Sequence, residues 1–172
     1  MNRAYRFRLY PDEEQKTLFA KTFGCVRFIY IKMLADRVEH YKVTGKSLHN
    51  TPAQYKTEFP WLKEVDSLAL ANAQLHLDAA SAAFFRRPET GFPKFKAKYR
   101  SRDSYSTNNQ SGSVRFENGK IKLPKIGFVK VKQHRPIPDD WKIKTISVSR
   151  TPVDKYFASV LLEVVSEVVT AL

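Results

Sequence analysis

The sequence predicts an α+β fold in which a small antiparallel β-barrel carries a helical insertion after its first strand. Apolar and polar residues alternate over residues 3–10, which predicts a β-strand with one buried face. Apolar residues then recur at helical spacing within residues 12–87, and short strand patterns follow from Tyr105 onward. Because an isolated strand is unstable, the leading strand must join the later ones in one sheet. We therefore expect a discontinuous barrel of residues 1–11 and 88–172 around a helical domain of residues 12–87.

The insertion is predicted to begin with two helices. Asp12 can act as an N-cap, and Gln15 follows three residues later as its capping-box partner. The first helix is expected to end at Gly24. The second is expected to span about residues 25–42, since Gly45 is a suitable C-terminal stop.

Two more helices are predicted before the barrel resumes. Pro52, at a first helical position, opens a short helix that ends near Glu58. Asp66 or Ser67 caps the next helix, whose apolar residues keep helical spacing towards Phe85.

The C-terminal half of the sequence predicts consecutive short strands. The Asn118-Gly119 pair is a strong two-residue hairpin signal, because both residue types tolerate positive φ. A long apolar strand is expected near the C-terminus. The predicted strands after Tyr105 are residues 114–116, 120–123, 128–132, 143–150 and 156–165.

The charge of the chain favours a polyanionic partner. It has 30 Lys and Arg residues against 17 Asp and Glu, for a net charge of +13. Such a surplus repels itself unless an anion balances it. Nucleic acid is favoured over membrane, because no stretch approaches the ~20 apolar residues that span a bilayer. The first residues lack a signal-peptide pattern, and the single Cys25 excludes an internal disulfide or a cysteine-rich zinc site.

Basic and aromatic residues are interleaved over residues 86–109, and a run of small polar residues follows Arg102. Lys and Arg neutralise phosphates, aromatic rings stack on bases, and short polar side chains can bond base edges. The segment therefore predicts a nucleic-acid contact. The alternative is a solvated basic loop whose Phe92 and Phe95 anchor in the core, and the two interpretations overlap.

No catalytic or metal-binding pattern stands out in the sequence. The four histidines are far apart, and neither a zinc spacing nor a phosphate-binding glycine loop is present. A two-metal nuclease needs several converging carboxylates, and the acid spacing does not indicate such a set. We expect no cofactor, no metal and no enzymatic activity of this chain alone.

Five segments together resemble the N-terminal half of TnpB, also called OrfB, a transposon-associated RNA-guided endonuclease related to type V CRISPR effectors. The resemblance covers about residues 3–165. The segments are YRFRLYP at 5–11, GCVRFIY at 24–30, WLKEVDSLALAN at 61–72, the Phe84-Phe85 pair followed by GFPKFK at 91–96, and IKLPKIG at 121–127.

The resemblance implies a wedge-type, OB-like β-barrel interrupted by a helical recognition domain. In that family the two parts grip a guide RNA and dock the target-adjacent motif of duplex DNA. It implies a cytoplasmic, nucleoid-associated prokaryotic protein. The positions that match motif-reading contacts are Ser67, Leu68, Ala71, Asn72, Thr107 and Asn108, with a further contact loop at His49, Asn50 and Gln54.

The residues expected to bind nucleic acid combine these matched positions with basic and aromatic residues nearby. They are Arg27, Lys32, Asn50, Gln54, Ser67, Asn72, Arg86, Arg87, Lys94, Lys96, Lys98, Tyr99, Arg100, Arg102, Tyr105, Thr107, Asn108 and Asn109.

The family's RuvC-like nuclease domain and its zinc finger would follow residue 165 and do not occur in these 172 residues. The expected function is therefore a non-catalytic nucleic-acid-binding lobe, with guide RNA and motif-bearing duplex DNA as partners. A nuclease domain acting in trans is a further expected partner. The alternatives are a truncated, nuclease-less DNA-binding protein acting as a repressor or relic, and an enzyme with an unrecognised site.

Overall fold

The computed structural model describes residues 1–91, Pro93 and residues 102–164. Within these residues, two long helices follow the first strand, and six strands come after the helices. The same part of the chain has three short 3₁₀ helices, at Pro52–Tyr55, Pro60–Glu64 and Pro88–Thr90. The long elements are β1 (Asn2–Tyr10), α1 (Glu13–Thr44), α2 (Ser67–Arg86), β2 (Asp103–Asn108), β3 (Arg115–Glu117), β4 (Lys120–Leu123), β5 (Gly127–Lys132), β6 (Trp141–Arg150) and β7 (Tyr156–Val164).

The strands of the described residues form one antiparallel sheet in the order β2-β6-β7-β1-β5-β4-β3. The sheet curls like half a barrel, with β2 and β3 at its edges. β1 lies between β7 and β5, with Phe7 opposite Ala158 and Leu9 opposite Val131. The predicted α+β fold, with helices inserted after a first strand that joins the C-terminal strands, is confirmed.

The predicted break in the first helix is wrong. α1 runs unbroken for 32 residues, from an Asp12–Gln15 capping box to Gly45 in the left-handed region at φ 69°. Gly24 inside a helix costs about 1 kcal/mol relative to Ala. Burial of Phe23 and Ile29 on either side stabilises the helix by about 1.5–3 kcal/mol for each side chain, which outweighs that cost.

Smaller differences concern the connections. The helix expected from Pro52 is a single 3₁₀ turn, and a second 3₁₀ turn begins at Pro60, just after the expected end of that helix near Glu58. Asp66 caps α2 as predicted, accepting from the backbone N–H of Leu68 at 3.0 Å. The Asn118-Gly119 hairpin also forms, with φ of 51° and 73°.

Two hydrophobic clusters fill the described part of the chain. One lies on the inner face of the sheet, where the first turns of α1 contribute Phe19 and Phe23. The other lies between the rest of α1 and α2, around Ile29 and Leu70. Val26 packs against both clusters. The division into two domains at the expected boundaries stays a prediction.

Neither α1 nor α2, the long helices among the described residues, has a stretch apolar enough to cross a membrane.

Candidate nucleic-acid interface

The N-terminus of α2 is fastened to β2 by a buried carboxylate. Asp66 caps the helix and also accepts a hydrogen bond from the hydroxyl of Thr107. Both side chains are buried, at 6% and 0% exposure. Tyr105, two residues earlier on the same face, packs on Phe23 and is also buried. Burial raises its pKa, and the charge of Asp66 adds to that effect. Tyr105 and Thr107, both expected nucleic-acid contacts, therefore face the protein core in this structure.

The next residue, Asn108, points the other way and meets α2. Asn72 donates from Nδ2 to Asn108 Oδ1 at 2.7 Å and to the carbonyl of Leu68 at 2.9 Å. Both amides are half-buried. Within the described residues, Asn72 Oδ1 and Asn108 Nδ2 have no hydrogen-bond partner. The pair thus presents one acceptor and one donor, which is what a base edge requires. Ser67, another expected contact, is exposed on the first turn of the same helix.

An ion cluster joins α1 to the start of β2. Asp103 accepts from Arg27 Nη2 at 2.6 Å and from Arg150 Nη2 at 2.5 Å. The hydrogen bond to Asp103 is the main cause of a raised pKa at Arg150. Arg27, expected to contact nucleic acid, is therefore paired and mostly buried.

The predicted contact loop at residues 49–54 is built around a buried amide. Asn50 donates to the Tyr55 hydroxyl at 2.8 Å and accepts from Arg37 Nε at 2.8 Å. Burial, helped by the hydrogen bond to Asp36, raises the pKa of Tyr55 to about 12. Asn50 thus supports the loop, while the exposed Gln54 accepts from the backbone of Thr51 at 3.1 Å.

The remaining expected contacts differ in their surroundings. Lys32 pairs with Asp36 at 3.2 Å. Asn109 bonds the carbonyl of Ile143 and the amide of Val114, so its side chain holds the β2–β3 connection. Three of the expected contacts are exposed to solvent: Arg86, Arg87 and Arg102. The expected contacts Lys94, Lys96, Lys98, Tyr99 and Arg100 lie outside the described residues.

The outer face of the sheet carries a basic surface that the sequence analysis missed. Its cations lie directly opposite one another: Arg8 faces Lys132, and Lys120 faces Lys130. Like charges opposite each other on a sheet are destabilising unless an anion is bound. We call this surface the outer basic face. It consists of Arg6, Arg8, Arg115, Lys120, Lys122, Lys130 and Lys132.

Aromatic rings are interleaved with these cations. The Arg6 guanidinium lies 3.8 Å from the Phe157 ring centroid. Arg8 lies 5.0 Å from that of Tyr10, and Arg115 lies 5.4 Å from that of Phe128. Exposed rings beside phosphate-binding cations are the combination that single-stranded and looped nucleic acids require. The period-two basic pattern of β1, β4 and β5 was the sequence signal for this face.

Catalytic chemistry has no comparable support in the described residues. Across residues 1–91 and 102–164, no group of three His, Cys, Asp or Glu side chains lies close enough to hold a metal ion. Cys25 is buried, and this burial raises the pKa of its thiol to about 11. A protonated, buried thiol is a poor nucleophile.

Comparisons with known proteins identify the family to which the chain is related. Residues 1–46 match the helix-turn-helix domain of OrfB from IS605-type elements. The chain is 32% identical over 171 residues to a protein from Streptomyces pristinaespiralis named as an RNA-guided DNA endonuclease. That match covers 95% of this chain and 42% of the relative. The chain belongs to the TnpB/OrfB family.

Two further relatives show how much of each matched protein the chain spans. InsQ of Escherichia coli K12, also named as an RNA-guided DNA endonuclease, is 28% identical over 97% of this chain and 41% of its own length. Virulence protein VsdF of Salmonella dublin is 34% identical over 58% of this chain and 96% of its own length. The chain thus spans about two fifths of the length of the endonuclease relatives. In the structure, the segment matching the OrfB domain forms β1 and the unbroken α1.

Proposed function

We propose that this chain is the nucleic-acid-binding lobe of an RNA-guided DNA endonuclease. It holds a guide RNA and docks the target-adjacent motif of duplex DNA, and it is itself non-catalytic. Cleavage is assigned to a nuclease domain outside these 172 residues, in the same protein or in trans. The protein would act at the nucleoid, in the cytoplasm.

The outer basic face is the observation that carries this proposal. It gathers seven cations from β1, β3, β4 and β5, and Glu117, paired with Arg115 at 3.0 Å, is the acid that accompanies them on those strands' outer positions. The repulsion between facing cations, such as Lys120 and Lys130, is relieved when phosphates bind between them. We assign the guide RNA to this face because its rings can stack on unpaired bases.

The Asn72–Asn108 pair supports the second part of the proposal. It lies on the α2–β2 junction, at the opposite edge of the sheet from β3. A paired donor and acceptor on a fixed helix and strand can bond the edge of one base pair, and Asn is suited to adenine in the major groove. We assign the target-adjacent motif to this junction.

The test compares two variants that have equal net charge. In the first, four lysines of the outer basic face become alanine: Lys120, Lys122, Lys130 and Lys132. In the control, four exposed lysines elsewhere become alanine: Lys42, Lys46, Lys63 and Lys155.

Binding of a structured RNA is followed by fluorescence anisotropy over a range of salt concentrations. The negative slope of log K against log salt should become shallower by about three units in the first variant and by less than one unit in the control. Equal changes in both variants would mean that binding reflects net charge, and that the face is not the RNA site.

A second candidate function is a nuclease-less DNA-binding protein that acts as a repressor. The match to VsdF favours it, because there a segment related to this lobe makes up 96% of a whole protein. This candidate predicts sequence-selective binding of duplex DNA with no preference for RNA. The same anisotropy assay, run with duplex DNA and with RNA as probes, separates the two functions.

A further inference from the structure

A small cavity of about 40 Å³ lies where α1, α2 and β2 meet. Its polar lining comes from all three elements, with Arg27 on α1, His76 on α2, and Arg102 and Ser104 at the start of β2. The rest of the wall is aromatic and apolar, and consists of Phe23, Val26, Tyr30 and Ala73.

The charge around this cavity is positive. Asp103 is shared by Arg27 and Arg150, so two guanidinium groups meet one carboxylate and one positive charge is left over. Arg102 adds another, and none of the lining residues is acidic. An apolar wall strengthens the attraction of these charges for an anion, because less water screens them.

The lining groups also supply suitable hydrogen-bond donors. In the described part of the chain, Arg27 donates from Nη2 to Asp103, while its buried Nε has no hydrogen-bond partner. Arg102 and Ser104 are both exposed at the cavity mouth. Two guanidinium groups and a hydroxyl, around a space of this size, fit a tetrahedral oxyanion.

We infer that this cavity binds one backbone phosphate of the nucleic acid that the lobe holds. The inference rests on the proposed function. Ser104 lies four residues from Asn108 along β2, about 13 Å, and His76 lies about one helical turn beyond Asn72. A phosphate held here flanks the base pair that meets Asn72 and Asn108. The cavity therefore sets the register of the strand against that pair.

Two matched double variants test this site. The first combines Arg102→Ala with Ser104→Ala, and both residues are exposed, so the fold should persist. The control combines Lys46→Ala with Ser47→Ala in the exposed loop after α1, which removes the same charge and the same hydroxyl elsewhere. Circular dichroism melting establishes that each variant folds as the unaltered chain does.

The probes are inorganic phosphate, observed by phosphorus NMR line broadening, and a duplex DNA of fixed sequence, observed by anisotropy over a range of salt. We expect the first variant to cause no broadening of the phosphate signal. Its negative slope of log K against log salt should be shallower by about one unit, as for one lost phosphate contact. The control should keep the broadening and change the slope less.

Unchanged broadening in the first variant would overturn the site. Lost broadening with an unchanged salt slope would also overturn it as a backbone subsite, since the cavity would then take only free phosphate. Failure of the proposed function looks different, because the unaltered chain would then bind no RNA, whatever the phosphate signal shows.

Discussion

Asn72 on α2 and Asn108 on β2 share a hydrogen bond of 2.7 Å across 36 residues of sequence. The bond leaves Asn72 Oδ1 and Asn108 Nδ2 without partners among the described residues. Next to Asn108 on the strand, the Thr107 hydroxyl donates a hydrogen bond to Asp66, which caps the same helix. The helix and the strand therefore present the two amides as one fixed unit, which is the geometry that base recognition needs.

Asn72→Ala and Asn108→Ala should each relax motif preference. A good bidentate contact discriminates by about 1–3 kcal/mol, so preference for the selected motif should fall about 5- to 150-fold. Affinity for unrelated duplex DNA should hardly change, because phosphate contacts remain. The measurement is selection from a randomised duplex library, followed by anisotropy on the selected and scrambled sequences.

Gln74→Ala provides the matched control for that experiment. Gln74 is an amide on the same helix but lines the cleft between α1 and α2 on the other side. It should leave motif preference unchanged. Equal losses in the Gln74 and Asn72 variants would show that the helix is merely sensitive to substitution.

Asp66→Ala should lower the free energy of unfolding by more than the loss of a helix cap alone. It removes the cap of α2 and leaves the buried Thr107 hydroxyl without its acceptor. Together these losses should cost about 2–4 kcal/mol, measured by urea unfolding. The comparison is Asp12→Ala at the exposed cap of α1, where about 1 kcal/mol is expected. Similar costs for the two caps would contradict the role given to the Asp66–Thr107 bond.

Asp103→Asn should destabilise the chain because two guanidinium groups, those of Arg27 and Arg150, would lose their shared carboxylate. The Asp103 side chain is 19% exposed, so we expect about 2 kcal/mol, less than for a fully buried pair. Added salt should recover part of this loss by screening the two arginines. Glu117→Gln, in the exposed pair with Arg115, should cost less than about 1 kcal/mol. Insensitivity of the Asp103 variant to salt would argue against this electrostatic explanation.

Stability should fall in alkali partly through Cys25. Burial raises the pKa of its thiol from 9.0 to about 11, so the folded chain holds a proton that the unfolded chain releases. The contribution of this group is present below pH 9 and is lost as the pH rises towards 11. Two pKa units correspond to at most about 2.7 kcal/mol. Urea unfolding at several pH values should show a shallower decline above pH 9 for Cys25→Ala. If the unfolding free energies of the unaltered chain and of Cys25→Ala declined equally with pH, this contribution of Cys25 would be contradicted.

Local pattern was enough to predict much of the fold. The alternation of β1, the capping box at Asp12 and the Asn118-Gly119 hairpin depend on neighbouring residues, and the structure contains all three. The continuity of α1 through Gly24 does not depend on neighbouring residues alone. It depends on the burial of Phe23 in the cluster under the sheet and of Ile29 in the cluster between the two helices.

The candidate site was harder to predict for the same reason. Period-two alternation already assigns Tyr105 and Thr107 to one face of β2 and Asn108 to the other, but the polar run was interpreted as a single contact segment. The Arg27–Asp103 ion pair joins residues 76 positions apart, and no local pattern indicates it. The outer basic face needs β1 beside β5, a pairing that follows from the whole sheet.

The most direct test of the central claim is to purify the chain in moderate salt and identify what accompanies it. The absorbance ratio at 260 and 280 nm is recorded, the sample is treated with RNase or DNase, and the protected fragments are sequenced. The account predicts one discrete, structured RNA, protected by the unaltered chain and lost from the variant that replaces Lys120, Lys122, Lys130 and Lys132. A chain that is free of nucleic acid, and that binds no RNA even at low salt, would contradict it.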